Sequence, residues 1–308
     1  MRRGKTEPQR SQLKRHRFDR TERAADMVGA ILIGIVLLLA AAFLGVLLYL
    51  RSVSGPSKRV SIPAGGHTLK TTVYGNLASP QTQAEASAAD PRPGLIFLSG
   101  WSPSRIGWRP SNIYAGLCAK RLDCLCLTVS LRGMGSAGDI ATLTRADFLD
   151  DATAAYDFLA ALEEVDRQRI SVVGESFGSY LACVLSAERP VSALALRVPT
   201  DFPDAGFDDT PQERIAGLRS LDWKQQEHAH SESRALDAIH AFSGDVLIVA
   251  SEHDSFVPLQ TTRNYLASAS DPSRLTYRLM RGARHGLVDP FRQIEYVRIL
   301  FEWIAARV

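Results

Sequence analysis

The stretch VVGESFGSY, residues 172–180, sets one serine, Ser176, between Gly174 and Gly178, behind the apolar run Ile170 to Val173. An apolar helix-like segment, Phe177 to Ala187, follows it. The serine therefore sits in a predicted strand-to-helix turn. Such a turn strains the serine backbone and leaves room only for small residues two positions to either side, because strand and helix nearly touch there. The turn also puts a helix N-terminus, with its unsatisfied N–H groups, beneath any negative charge that develops at the serine. The alternative is a serine that merely caps a helix.

A serine hydroxyl is a poor nucleophile unless a base takes its proton, and that base needs a third group to orient it. Further along the chain, VLIVASEHD (residues 246–254) places acids just past an apolar run, and RGARHG (residues 281–286) places a histidine past the next run. Asp254 is the favoured acid, because of its spacing after the run and the Val257-Pro258 pair that follows; Glu252 is the competitor. His253 adjoins the acid and cannot also reach the serine, which leaves His285, between Gly282 and Gly286, as the candidate base.

Outward from these residues the pattern is that of an α/β fold. The apolar runs Leu95–Leu98, Cys124–Val129, Ile170–Val173, Ala193–Val198, Val246–Ala250 and Leu275–Met280 alternate with helical segments, as expected of a mostly parallel, doubly wound sheet with helices on both faces. The last run alternates in polarity and reads as an edge strand. Val60 to Gly75 reads as two strands around Gly65-Gly66. Thr144 is placed to cap a helix in a box with Asp147, its stripe being Phe148, Ala152, Ala155, Leu159 and Leu162. Asp289 and Pro290 start a final helix with Phe291, Ile294, Val297, Phe301 and Ile304 at helical spacing. Residues 199–244 break the strand-helix rhythm and read as a small helical, cap-like insert or as surface helix.

The 308 residues are 45% hydrophobic and 22% charged, an ordinary balance for a folded chain. Basic residues concentrate in a tail, residues 1–26, which carries nine Lys or Arg against four acids. The remainder has no basic and aromatic patch, so no nucleic-acid partner is expected. Residues 27–50 are 24 uncharged positions, about 36 Å as a helix against a hydrocarbon core of about 30 Å. They read as a transmembrane helix, followed by a linker at 51–59 and a domain at 60–308. With the basic tail cytoplasmic, the domain falls on the extracytoplasmic side of a single-pass membrane protein; the opposite insertion is the alternative.

The remaining motifs suggest less. Cys118, Cys124, Cys126 and Cys183 lie in apolar settings without metal-ligand spacing, and a bridge from Cys118 to Cys124 or Cys126 stays open. His228 and His230 read as a solvated face, since no third ligand stands at a recognisable spacing. Arg132-Gly133-Met134-Gly135 lacks a full phosphate-binding fingerprint. Asp150 and Asp151, adjacent on a helix, point about 100° apart and cannot act as a paired acid and base. No metal and no cofactor is expected.

Taken together, GESFG, SEHDSFVP, RHG, LSGW and SLRGMGSAG resemble the α/β-hydrolase superfamily in its serine-esterase, lipase and serine-peptidase branches, over Val60 to Val308. The resemblance implies an α/β-hydrolase fold, with Ser176 as nucleophile, His285 as base and then acid, and Asp254 orienting the imidazole. It also implies an oxyanion hole from the backbone N–H groups of Phe177 and Trp101. Ser99-Gly100 stands where many relatives carry His-Gly, which keeps the glycine turn but removes a side chain that often braces the loop. The expected substrate is a small or lipid-like acyl compound, an ester or thioester, with a peptide or amide bond as the alternative. A non-catalytic binding scaffold on the same fold is the competing class.

Overall fold

The computed structural model describes residues 29, 31–38, 55–77, 90–100, 110–133, 142–210 and 220–308. Two units emerge, Met1–Ser52 and Val53–Val308. In the first, the described residues 31–38 are helical with exposed apolar side chains such as Leu38. Most of the expected span 27–50 and all of the tail 1–26 lie outside the described residues. Among those described, no helix is long and apolar enough to cross a membrane.

In the second unit the strands are β1 (Ser57–Ala64), β2 (His67–Tyr74), β3 (Arg92–Leu98), β4 (Leu125–Ser130), β5 (Val165–Glu175), β6 (Ala193–Arg197), β7 (Asp245–His253) and β8 (Leu275–Arg284). They form one sheet in the order β1-β2-β4-β3-β5-β6-β7-β8. β1 and β2 form a hairpin across Gly65 and Gly66, both at positive φ, and β2 runs antiparallel to β4. Every later pairing is parallel. Each apolar run expected as a strand lies within or overlaps one of these elements. β8, with alternating polarity, stands at an edge as its pattern requires.

The helices are α1 (Pro110–Leu122), α2 (Arg145–Ala160), α3 (Phe177–Glu188), α4 (Ser220–Gln225), α5 (Arg234–Ala241), α6 (Leu259–Ser268) and α7 (Pro290–Ala305). Thr144 and Asp147 form the reciprocal capping box, and Asp289 accepts from the Phe291 amide at the start of α7. Two buried clusters cover the two faces of the sheet: one holds Ile96, Leu127, Phe148, Leu159, Leu181 and Ile248; the other holds Leu95, Phe97, Cys126, Val249, Leu300 and Trp303.

Two expectations need correction. On α7 the buried stripe is Tyr296, Leu300, Trp303 and Ile304, while Phe291 and Ile294 are exposed. Both sets have helical spacing and share Ile304; the face that meets the rest of the domain is the one carrying Tyr296, which packs edge-on to Tyr114 at 5.5 Å within the buried cluster. His228 is buried against the Trp223 ring and bonds the Trp223 carbonyl at 2.8 Å, so it is a packed residue and not a solvated one. The four cysteines, in contrast, are buried as their apolar settings suggest, and all are free, so the bridge left open from Cys118 to Cys124 or Cys126 is not formed. The Cys124 and Cys126 sulfurs are 3.6 Å apart, far from the ~2.05 Å of a disulfide.

Within 199–244, α5 belongs to the main core: Ala235, Leu236, Ala238 and Ile239 are buried, and the helix packs on α3. Asp201, itself buried, accepts from Trp223 Nε1 at 3.1 Å and from the Ser233 hydroxyl, tying this segment together.

Candidate active site

β3, β5, β6, β7 and β8 are parallel, so the loops after them emerge at one edge of the sheet. The chain moves outward from β3 to β4 on one side and returns to β5 on the other. The gap between β3 and β5 is thus the point where strand order reverses, and open α/β sheets place ligands there. Ser176 follows β5 at that point.

Ser176 has φ 53° and ψ −114° and makes no side-chain capping bond to α3. A capping serine would sit in extended backbone with its hydroxyl on an amide of the first turn. That alternative is therefore excluded by geometry. Holding a non-glycine residue at this φ costs about 1–3 kcal/mol, and such strain is kept where the surroundings over-determine it. Here the Ser176 amide donates to the Arg197 carbonyl at 2.9 Å, and the Ser176 carbonyl accepts from the Ser179 amide at 3.0 Å.

The glycines explain how strand and helix close on each other. A Cβ at Gly178 would lie 2.0 Å from the Leu98 carbonyl oxygen, and one at Gly174 would lie 2.5 Å from the Ser179 Cα. Gly100, just past β3, approaches Ser176 closely: a Cβ there would be 3.1 Å from the Ser176 Cβ. The loop expected to bear the second oxyanion donor thus reaches the serine. Trp101 itself lies outside the described residues. Phe177, the first residue of α3, is anchored by its ring, edge-on to Phe148 at 5.3 Å and to Phe202 at 6.0 Å.

Asp254 and His285 come together at the ends of β7 and β8. His285 Nδ1 lies 2.8 Å from Asp254 Oδ2. Asp254 Oδ1 accepts from the Phe256 and Val257 amides, both at 2.8 Å. Burial acts to raise the Asp254 carboxyl, but the His285 bond and these two amides outweigh it and hold the group below its ordinary value. Glu252 instead accepts from the Gly282 amide at 2.7 Å, bracing the loop that leads to His285. The exposed ring of Phe256 lies 5.1 Å from the His285 ring. With Nδ1 engaged, the imidazole keeps Nε2 for another partner.

One residue at this edge was not singled out by sequence reasoning. Arg197, the last residue of β6, is 1% exposed. Its guanidinium bonds the Glu175 carboxylate and the His285 carbonyl, so it joins the residue before Ser176 to the histidine loop. The signal was present as an arginine inside the apolar run Ala193 to Val198. Lys224 lies nearby with its amine 5.1 Å from the Phe202 ring centroid; burial lowers its pKa, against the opposing charges of Asp201 and Asp254.

The other sequence candidates take structural places. Asp151 is fully buried and receives the Arg132 amide at 2.6 Å and Arg132 Nε at 2.8 Å, with His67 Nε2 at 2.9 Å. Arg132 thereby fixes the turn after β4 onto α2. Among the described residues no group of three or more His, Cys, Asp or Glu could hold a metal ion.

The chain has relatives. An uncharacterised protein of Mycobacterium tuberculosis is 34% identical over 141 residues, 46% of this chain; the chain spans only 45% of the length of that curated relative. Among solved structures, acylaminoacyl peptidase from Pyrococcus horikoshii is 16% identical with a TM-score of 0.60, over 82% of this chain and 42% of the peptidase. Dienelactone hydrolase from Anabaena variabilis is 15% identical with a TM-score of 0.58, over 83% of this chain and 99% of the hydrolase. At such identities these two show the shared α/β-hydrolase fold. Residues 122–308 match the prolyl oligopeptidase family, more than half of the sequence. Ser176, Asp254 and His285 all fall inside that match, and the chain belongs to the prolyl oligopeptidase family.

Proposed function

We propose that this protein is a serine hydrolase working through an acyl-enzyme. The observation that carries the reading is the strained, uncapped Ser176 on the β5–α3 turn, at the same sheet edge as the Asp254–His285 pair. In this reading Ser176 Oγ attacks a carbonyl carbon while His285 Nε2 takes its proton. Asp254 stabilises the imidazolium, and the proton passes to the leaving group as the acyl bond to it breaks. Water then adds to the acyl-serine, with His285 as base, and releases the acid. The Phe177 and Trp101 amides are the proposed donors to the oxyanion.

The bond proposed is a carboxylic ester or thioester of a hydrophobic acyl group. The exposed ring of Phe256, 5.1 Å from the His285 ring, and the exposed apolar side chains of Val288 and Phe291, which follow the histidine in sequence, support that choice. A peptide or amide bond is the second reading, favoured by the family match. Turnover by the full chain of p-nitrophenyl esters, acyl thioesters and aminoacyl anilides separates them. Anilide turnover exceeding ester turnover would reverse the order; no turnover of any class would remove both.

The uncharged run 27–50 after a basic tail supports a membrane anchor, with the hydrolase domain on the extracytoplasmic side. Protease treatment of intact cells tests it: a domain that is protected until the cells are permeabilised would contradict that orientation.

A further inference from the structure

Arg197 is a buried cation in a place where an apolar side chain would pack at less cost. Removing a guanidinium from water costs several kcal/mol unless its donors are met. Arg197 directs Nη1 and Nη2 to the end of β5, just before Ser176, and to the histidine loop, while its buried Nε has no hydrogen-bond partner among the described residues. Glu175, its neighbour in the β5–β6 ladder, takes one bond through its carboxylate, and the His285 carbonyl takes another. The Arg197 carbonyl meanwhile accepts from the Ser176 amide at 2.9 Å and from Ser179 Oγ at 3.1 Å. The guanidinium also sits 5.6 Å from the ring centroid of Tyr296, on the helix that follows the histidine.

The next residue, Val198, has φ 42°. A β-branched residue in left-handed backbone is a marked outlier, held here by its amide bond to the Val249 carbonyl at 2.8 Å. Strain and buried charge thus coincide at one turn. β5 and β8 are not neighbours, since β6 and β7 lie between them, so no ladder sets the serine turn against the histidine loop. The planar fork of an arginine serves two such acceptors from separate nitrogens in fixed geometry, whereas an ammonium must serve both from one freely rotating nitrogen.

We propose that Arg197 is a positioning residue that fixes the Ser176 turn and the His285 loop relative to each other through the Glu175 carboxylate and the His285 carbonyl. This rests on the serine-hydrolase reading above.

The test uses the full chain, with kcat and KM for a p-nitrophenyl ester, the rate of Ser176 labelling by a fluorophosphonate, and the thermal midpoint. Arg197→Lys keeps the charge and loses the fork. A misplacement of about 1 Å costs about 100-fold in rate. Arg197→Lys is therefore expected to lower kcat by ~10- to 100-fold, with KM nearly unchanged, labelling slowed in parallel and the midpoint close to wild type. The double variant Arg197→Met with Glu175→Gln, which leaves no unpaired carboxylate, is expected to lose at least as much. Wild-type kcat in either folded variant overturns the proposal. So does a raised KM at unchanged kcat, which would put Arg197 on substrate. Loss of the folded state in both variants would assign Arg197 to folding alone and overturn it as well. A wild type that neither turns over nor labels fails the serine-hydrolase reading first, a result distinct from an active wild type matched by an active Arg197→Lys.

Discussion

Asp254 Oδ2 and His285 Nδ1 are 2.8 Å apart, across the ends of the adjacent parallel strands β7 and β8. The Asp254 side chain is 2% exposed, and its other oxygen is occupied by two backbone amides. A carboxylate so placed keeps one orientation and passes it to the imidazole. In the proposed mechanism this selects the tautomer that can accept the serine proton.

Asp254→Asn therefore tests that relationship with little change in shape. The amide can hold the ring in the wrong tautomer, and kcat is expected to fall by about 10⁴-fold. Steady-state ester hydrolysis reads this directly. A variant within a few-fold of wild type would remove Asp254 from the mechanism.

The same carboxyl gives a pH signature in stability. Its pKa lies below the ordinary value of 3.8, so the folded state binds its proton less readily than the unfolded state. The stability it contributes is present above 3.8 and is lost as pH falls through the lowered folded value. Urea unfolding of wild type and Asp254→Asn across the acid range is the check. The stability advantage of the wild type should shrink as pH drops through that window; a constant difference would contradict the assignment of charge.

Gly178→Ala should damage the turn on steric grounds alone. Its Cβ would meet the Leu98 carbonyl oxygen at 2.0 Å, a backbone atom that cannot rotate away. Overpacking of this kind costs about 1–3 kcal/mol or more, so a loss of about 3 kcal/mol in urea unfolding is expected. Gly286→Ala is the control: nothing lies within 4 Å of its Cβ position, and its effect should stay within about 0.5 kcal/mol. Equal stability of the two variants would show that the close approach of α3 to β3 is absent.

Asp151→Ala should separate stability from activity. Removing the carboxylate strands the largely buried Arg132, whose side chain is 14% exposed. Breaking a buried pair from one side costs about 3–5 kcal/mol. Chemical denaturation should show a loss near the lower end, with ester turnover per folded molecule close to wild type. A loss below about 1 kcal/mol, the scale of an exposed pair, would contradict the bridging role of this cluster.

Much of the fold was legible because its strands are short, apolar and bounded by turn signals, and the Thr144–Asp147 box announces α2 by chemistry that needs no tertiary partner. The serine turn was legible for a similar reason: two glycines at fixed offsets from Ser176 answer a local steric demand. What failed depended on tertiary choice. Two stripes on α7 have the same spacing, and only contact with the rest of the domain selects Tyr296 and Trp303 over Phe291 and Ile294. His228 looked solvated in a polar segment, yet the Trp223 ring buries it. Arg197 was hidden because its two acceptors, Glu175 and the His285 carbonyl, lie 22 and 88 positions away along the chain.

The central claim is that Ser176 is an activated nucleophile. Its most direct measurement is reaction of the full chain with a fluorophosphonate, followed by mass spectrometry of the peptide spanning residues 170–189. The expected result is one phosphonyl group on Ser176 in the wild type, none on that peptide in Ser176→Ala, and much slower labelling in His285→Ala. An unlabelled wild type, or labelling that persists on that peptide in Ser176→Ala, would contradict the account.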